Sequence, residues 1–256
     1  MGSKKEILSR IGMASKGIVY LLIGILTALA AFGKGGNKTS SKGALKFLAE
    51  QPYGKVLLLI IGIGLAGYLF YRLYQAFANL KNHENNFKGY IMRGSYIISG
   101  LVYGFLSFTA FKMMMESSSN NSNWLANILN SDYGNIIAII IAIAILGKAL
   151  YEFYSAYSGK FKDEVSHTNI SYQAKKVLTK VGKVGFTSRG IVATILAFLF
   201  FKASLQNSNS DIDRTDAFNF LQNEFGSIVL ALVAIGVAIY GVFMLIKSKY
   251  PDINLN

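Results

Sequence analysis

The stretch "GMASKG", Gly12 to Gly17, opens the first long apolar run of the chain and returns twice, as "GYIMRG" (Gly89 to Gly94) and "GFTSRG" (Gly185 to Gly190). Aligned on Lys16, Arg93 and Arg189, each copy has a glycine four residues before the base and another, Gly17, Gly94 or Gly190, directly after it. A second shared start follows in each copy: Tyr53-Gly54, Tyr133-Gly134 and Phe225-Gly226, with Tyr71, Tyr151 and Phe243 at matching places further on. A fixed internal period means a repeated supersecondary unit. Here the unit is span, loop, span. Repeat one covers residues 7–80, repeat two 87–159 and repeat three 180–250.

Each unit contains two apolar runs, at Ile11–Phe32, Val56–Ala78, Tyr90–Phe111, Ile136–Tyr157, Val184–Ala203 and Ile228–Ile246. A helix rises about 1.5 Å per residue against a hydrocarbon core of about 30 Å, so each run is long enough to cross a bilayer. Pro52 and Pro251 lie outside the runs, where neither kinks a span. The predicted fold is an all-α integral membrane protein: six transmembrane helices, three tandem helical hairpins and one pseudo-threefold bundle forming a single membrane domain. The first run resembles a secretory signal, with Ala28-Leu29-Ala30 as a cleavage-like end. Two later runs open in the same way, so it is read as a retained span. Segments "ALKFLAE" and "DAFNFLQNEF", before the second and sixth spans, are expected to form short helices at the outer surface.

With the N-terminus inside, 18 of the 26 Lys and Arg residues fall in inner segments or at inner span ends, and the positive-inside rule puts both termini in the cytoplasm. The same rule accounts for the net charge of +13 in a chain whose charged residues are only 15% of the total. No nucleic-acid motif accompanies that charge, so nucleic acid is excluded as a partner. Cysteine is absent, which removes disulfides, thiolate metal sites and thiol nucleophiles.

The repeated glycine–aromatic–x–x–Arg–Gly opening, three times over six spans, resembles the uncharacterised bacterial membrane proteins catalogued as domain of unknown function 1206. The first copy departs from the pattern, with Met13 for the aromatic residue and Lys16 for arginine. The resemblance implies a six-span protein of the bacterial inner membrane and carries no catalytic residue with it.

The candidate sites are few. Lys16, Arg93 and Arg189 each lie about one turn inside a span. They are read either as snorkelling topology anchors or as a basic ring converging near the cytoplasmic face, suited to an anionic lipid, an anion or a protein partner. Arg72 and Glu152 occupy matching places in repeats one and two, and Glu152 is the only acid within a span. Ionisable groups at such depth face the bundle interior and pair, so Arg72, Lys148 and Glu152 are ion-pair candidates, with Lys148 and Glu152 four apart on one helix. "GIGLAG", Gly62 to Gly67, matches the dinucleotide fingerprint by letter but sits inside an apolar run with no strand before it. Gly62 and Gly67, with Gly17, Gly94 and Gly190, are therefore read as helix-packing glycines. His83 and His167 lie in separate loops without metal-ligand spacing, so no metal or cofactor is expected. "ISYQAKKVLTKVGKVGF" before the fifth span reads as an amphipathic surface helix or as an extension of that span. The expected function is non-enzymatic, with membrane lipids as the first partner; the alternative is a small ion or solute permease, which requires a continuous polar path.

Overall fold

The computed structural model describes residues 2–78, 87–115, 134–159, 172–206 and 212–249. His83, Trp124 and His167 fall outside them. All secondary structure among the described residues is helical: α1 (Gly2–Ala31), α2 (Ser41–Ala49), α3 (Gly54–Phe77), α4 (Phe87–Met115), α5 (Gly134–Ser158), α6 (Tyr172–Gln206) and α7 (Arg214–Lys249). Six of these are long and apolar enough to span a membrane, and α2 is short. Large aliphatic and aromatic side chains such as Ile98, Phe108, Ile136, Ile140 and Leu232 are exposed around the bundle, as a hydrocarbon environment requires.

The six long helices stand in a ring in chain order. α1 packs on α3, α3 on α4, α5 on α6, α6 on α7, and α7 closes back on α1. The sixth seam, between α4 and α5, lacks a comparable interface among the described residues. These two helices are also the least enclosed, with 22% of the most apolar window of each buried, against 61% for α1. Among the described residues the three tandem hairpins therefore form a pseudo-threefold ring with one loosely packed seam, and that seam lies inside the second hairpin.

The repeats supply the reason. In the first hairpin α1 crosses α3 where Gly12 lies on the Tyr68 backbone, 2.8 Å from Tyr68 Cα to the position a Cβ would take, and where Ser15 nests against Gly64. In the third hairpin α6 crosses α7 through the same pair of contacts, Gly185 on Tyr240 and Ser188 on Gly236. Small residues at such crossings let backbones approach and gain dispersion contact, which is what holds helices together where lipid removes the hydrophobic drive. Repeat two carries Met92 in place of the serine, Ala144 in place of the inner glycine and Lys148 in place of the tyrosine. Neither half of the serine–glycine clasp is present there.

The seam between repeats three and one is the tightest. A Cβ at Gly24 would lie 2.6 Å from Ala234 O and Ala238 Cα, and one at Gly241 2.7 Å from Gly17 O. Gly62 faces the Phe111 ring on α4, Gly67 faces Leu8 on α1, and Gly190 faces Phe153 on α5, whereas the Cβ position at Gly94 is open. The fingerprint-like "GIGLAG" thus lies mid-helix in α3 and serves helix contact.

The short outer segments form helices, but they are built into the bundle rather than laid on its surface. α2 begins at Ser40, whose side chain accepts from the Gly43 N–H, and buries Ala44, Leu45 and Leu48. Its counterpart in repeat three is the first limb of α7, residues 214–225, which buries Ala217, Phe218 and Leu221. The limb bends into the span at Gly226, at φ 83°, ψ 171°, a conformation that glycine adopts without steric cost. Leu45 and Phe218 are both fully buried, so these limbs pack into the main hydrophobic core of the bundle. The lysine-rich segment before the fifth span is the continuous N-terminal extension of α6, with Leu178 buried.

Candidate functional site

The interior of the ring is lined by tyrosines and cations. Tyr240 on α7 stands at its centre, edge-on to Tyr20 of α1 at 5.0 Å between centroids. The Arg189 guanidinium lies 4.0 Å from the Tyr240 centroid and 5.0 Å from that of Tyr20. Lys16 Nζ sits among three rings, 5.1 Å from Tyr68, 5.0 Å from Tyr103 and 5.7 Å from Tyr240, and donates to the Tyr68 hydroxyl at 3.3 Å. A desolvated cation over an aromatic face is stabilised by about 2 kcal/mol, part of what keeps these bases inside the apolar bundle. Lys16 and Arg189 are 5% and 9% exposed, so neither snorkels to a membrane surface as an anchor would.

The network extends in both directions from this centre. Arg72 Nε donates to the Tyr68 hydroxyl at 2.8 Å, its Nη1 to Gln75 Oε1 at 2.8 Å, and Gln75 Nε2 to the Tyr71 hydroxyl at 2.8 Å. Arg214, at the start of α7, reaches inward, donating to the Tyr20 hydroxyl at 2.8 Å and to Ser41 Oγ on α2. Ser41 and Arg214 hold corresponding places on the two short limbs, and their contact ties repeat one to repeat three. Asp213 and Asp216, beside Arg214 in the chain, accept from the Thr215 and Asp213 backbone N–H groups and so cap the start of α7.

Glu152 on α5 pairs across a helix interface, through Oε1, with Arg189 Nη2 at 2.7 Å. Its second oxygen, Oε2, is buried and accepts no hydrogen bond among the described residues. Lys148, one turn away on α5, is exposed and also lines the cavity described next. A cavity of about 160 Å³ lies here, lined by Tyr20, Lys148, Glu152, Arg189, Arg214 and the apolar side chains of Val192, Phe218 and others. Three cations and one carboxylate line it.

The structure thus sorts the candidates read from the sequence. Lys16 and Arg189 meet on Tyr240. Arg93 stands half-buried on α4, one of the helices that flank the open seam, with its guanidinium 5.8 Å from the Tyr90 ring. Arg72 joins the Lys16 end of the network, while Lys148 and Glu152 share the cavity with Arg189. The sequence reading missed Tyr20, Tyr68, Tyr103 and Tyr240, and Arg214 lies outside all six of the apolar runs it identified. A register signal was available for two of these: Tyr68, Lys148 and Tyr240 occupy the same place after Gly54, Gly134 and Gly226. Among the described residues no cluster of His, Asp or Glu stands ready to hold a metal ion.

Comparison with known proteins gives one family. The family described as Domain of Unknown Function (DUF1206) matches residues 11–79, 94–159 and 184–250, and the chain belongs to it. The chain is 26% identical over 249 residues to a Bacillus subtilis (strain 168) protein described as uncharacterized protein YxxB, covering 94% of this chain and 89% of that one. No solved structure matches.

Proposed function

We propose that this member of the DUF1206 family is a non-enzymatic protein of the bacterial inner membrane, with both termini cytoplasmic, whose interior chamber binds an anionic group. The observation that carries this reading is the lining of the cavity: Lys148, Arg189 and Arg214 against the single carboxylate of Glu152. Unbalanced cations are costly inside an apolar bundle unless an anion accompanies them, and intramembrane ionisable groups mark binding sites and pathways. Guanidinium and ammonium groups converging on one point suit a phosphate or carboxylate. Among the described residues α4 and α5 share no close interface, and that side, with Lys148 exposed on α5, favours entry from within the bilayer.

Conduction is the weaker reading. It requires a continuous polar path, whereas the short limbs over the loops put fully buried apolar side chains, Leu45 and Phe218, into the core. The test is native mass spectrometry of the protein extracted gently from its own membrane, compared with the Lys148→Gln, Arg214→Gln double variant. Both substitutions lie on the cavity wall and leave the Arg189–Glu152 pair intact. Anionic lipid or a small anion retained by the parent and lost from a folded variant supports the reading. Equal retention by both refutes the chamber as the binding site, and anion flux in vesicles then decides for or against a permease.

A further inference from the structure

Two hairpins hold their base on a tyrosine of the partner helix, and the second hairpin has no such tyrosine. Lys16 of α1 lies 5.1 Å from the ring of Tyr68 on α3. Arg189 of α6 lies 4.0 Å from the ring of Tyr240 on α7. Each tyrosine stands fourteen residues after the shared glycine, Gly54 or Gly226, and the same step from Gly134 leads to Lys148. Repeat two therefore sets Arg93 on α4 against a second cation on α5. A cation over an aromatic face is attracted, whereas two cations brought together in an apolar bundle repel. Resting on the anion-binding reading above, we infer that the bound anion takes the place of the missing tyrosine: a phosphate group, free or on a lipid headgroup, bridges Lys148 and Arg93 and draws α4 onto α5, closing the chamber around its ligand.

The face that α5 would turn to α4 is laid bare. In the first hairpin Gly64, Gly67 and Tyr68 are buried, with Gly64 on Ser15 and Gly67 on Leu8 of α1. In the third, Gly236 and Tyr240 are buried in the same way. The matching residues of α5, Ala144, Gly147 and Lys148, are all exposed, and a Cβ at Gly147 would meet nothing within 4 Å among the described residues. These small residues leave room for a helix that is not packed there. Gly89 also keeps the place of Gly12 and Gly185, the glycines that lie on the tyrosine backbone in the two packed hairpins. Lys148 lines the cavity and makes no hydrogen bond or ion pair among the described residues. Its ammonium has three donors, and a phosphate group offers several acceptor oxygens, enough to serve Lys148 and a guanidinium together.

The test uses the full cysteine-free chain in phosphatidylcholine nanodiscs, spin-labelled at Leu101→Cys on α4 and Ile143→Cys on α5, both exposed positions. A control pair, Ile25→Cys on α1 and Ile60→Cys on α3, reports on a hairpin that is already packed. Dipolar spectroscopy reads the distances, and equilibrium dialysis against labelled phosphate reads binding. Saturating phosphate is expected to shorten the α4–α5 distance by at least about 3 Å, toward the spacing of about 8–10 Å between packed helix axes, and to leave the control pair unchanged. Sodium chloride of equal ionic strength is expected to shift neither pair. Arg93→Gln is expected to stay open at saturating phosphate. Lys148→Tyr, which gives repeat two the residue of the other two, is expected to be closed without any anion and to bind phosphate at least about tenfold more weakly. Phosphatidylglycerol added to the nanodiscs separates the sources. Shortening by this lipid without added phosphate assigns the site to a headgroup, and shortening by phosphate alone assigns it to a free anion. If phosphate binds and neither ligand shortens the distance in the parent, the inference is overturned while the anion reading stands, and this outcome needs no variant to fold. Shortening by sodium chloride alone, closure of folded Arg93→Gln by phosphate, or a folded Lys148→Tyr as open as the parent also overturns it. A parent that binds neither phosphate nor phosphatidylglycerol overturns the anion reading itself.

Discussion

Breaking the Arg189–Glu152 pair is expected to cost more than deleting it. The pair spans the α5/α6 interface at 2.7 Å with side chains 9% and 6% exposed. At an effective dielectric constant of about 20 its Coulomb attraction is about 6 kcal/mol, most of which offsets the desolvation of the two ions. The net benefit of the pair is therefore small, while removing one partner leaves a buried charge uncompensated, at about 3–5 kcal/mol. The two single variants are not equivalent. Glu152→Gln leaves Arg189, Lys148 and Arg214 around one cavity with no carboxylate among them, whereas Arg189→Gln leaves Glu152 with Lys148 one turn away on the same helix. Glu152→Gln should thus be the less stable of the two, and the double variant more stable than either. For a chain of this length 1 kcal/mol corresponds to about 2–4 °C, so each single variant should melt about 10 °C below the parent and the double variant within about 5 °C of it. Unfolding in detergent is commonly irreversible, so the fraction remaining monodisperse after a fixed heating time is the quantity to compare. A double variant as unstable as the sum of the singles would show that the two charges are not coupled. A less stable Arg189→Gln would show that Lys148 does not support Glu152.

Glycine positions give a pair of predictions of opposite sign. Gly24→Ala places a Cβ 2.6 Å from Ala234 O and Ala238 Cα, forcing α1 and α7 apart, and should destabilise by about 1–3 kcal/mol. Gly147→Ala meets nothing within 4 Å and should stabilise α5 by up to about 1 kcal/mol through helix propensity, both read by the same heating assay. The loosely packed seam predicts that, in the cysteine-free chain, Lys148→Cys reacts with a membrane-permeant thiol reagent at least about tenfold faster than Ala149→Cys, because Ala149 is 1% exposed and Lys148 is exposed; equal rates would mean the seam is closed in the membrane. The proposed topology predicts that Lys4→Cys and Asn256→Cys are labelled by an impermeant reagent in inverted vesicles and protected in intact cells, and the reverse pattern would invert the orientation.

The sequence by itself determined the number of spans, the hairpin repeat and the family. Apolar runs of bilayer length and glycine-flanked bases in fixed register are properties of the chain, legible without knowing which helix meets which. It also marked Lys16, Arg189 and Glu152 as out of place in apolar runs. Only the tertiary structure decided how those groups are satisfied. The i, i+4 spacing of Lys148 and Glu152 offered a local partner, but the carboxylate pairs with Arg189 on the neighbouring helix, because α5 packs on α6. Lys16 is read from sequence as a boundary residue, yet it lies among Tyr68, Tyr103 and Tyr240, which come from three different helices and share no local pattern with it. Arg214 reads as a loop residue, and the inward fold of the first limb of α7 turns it toward Tyr20. The open seam was written in Met92 and Ala144, where the other repeats have serine and glycine. Its meaning required seeing that those positions clasp the other two hairpins. Local periodicity is set by neighbours along the chain, whereas a buried charge is satisfied by whatever the packing of distant helices brings within reach.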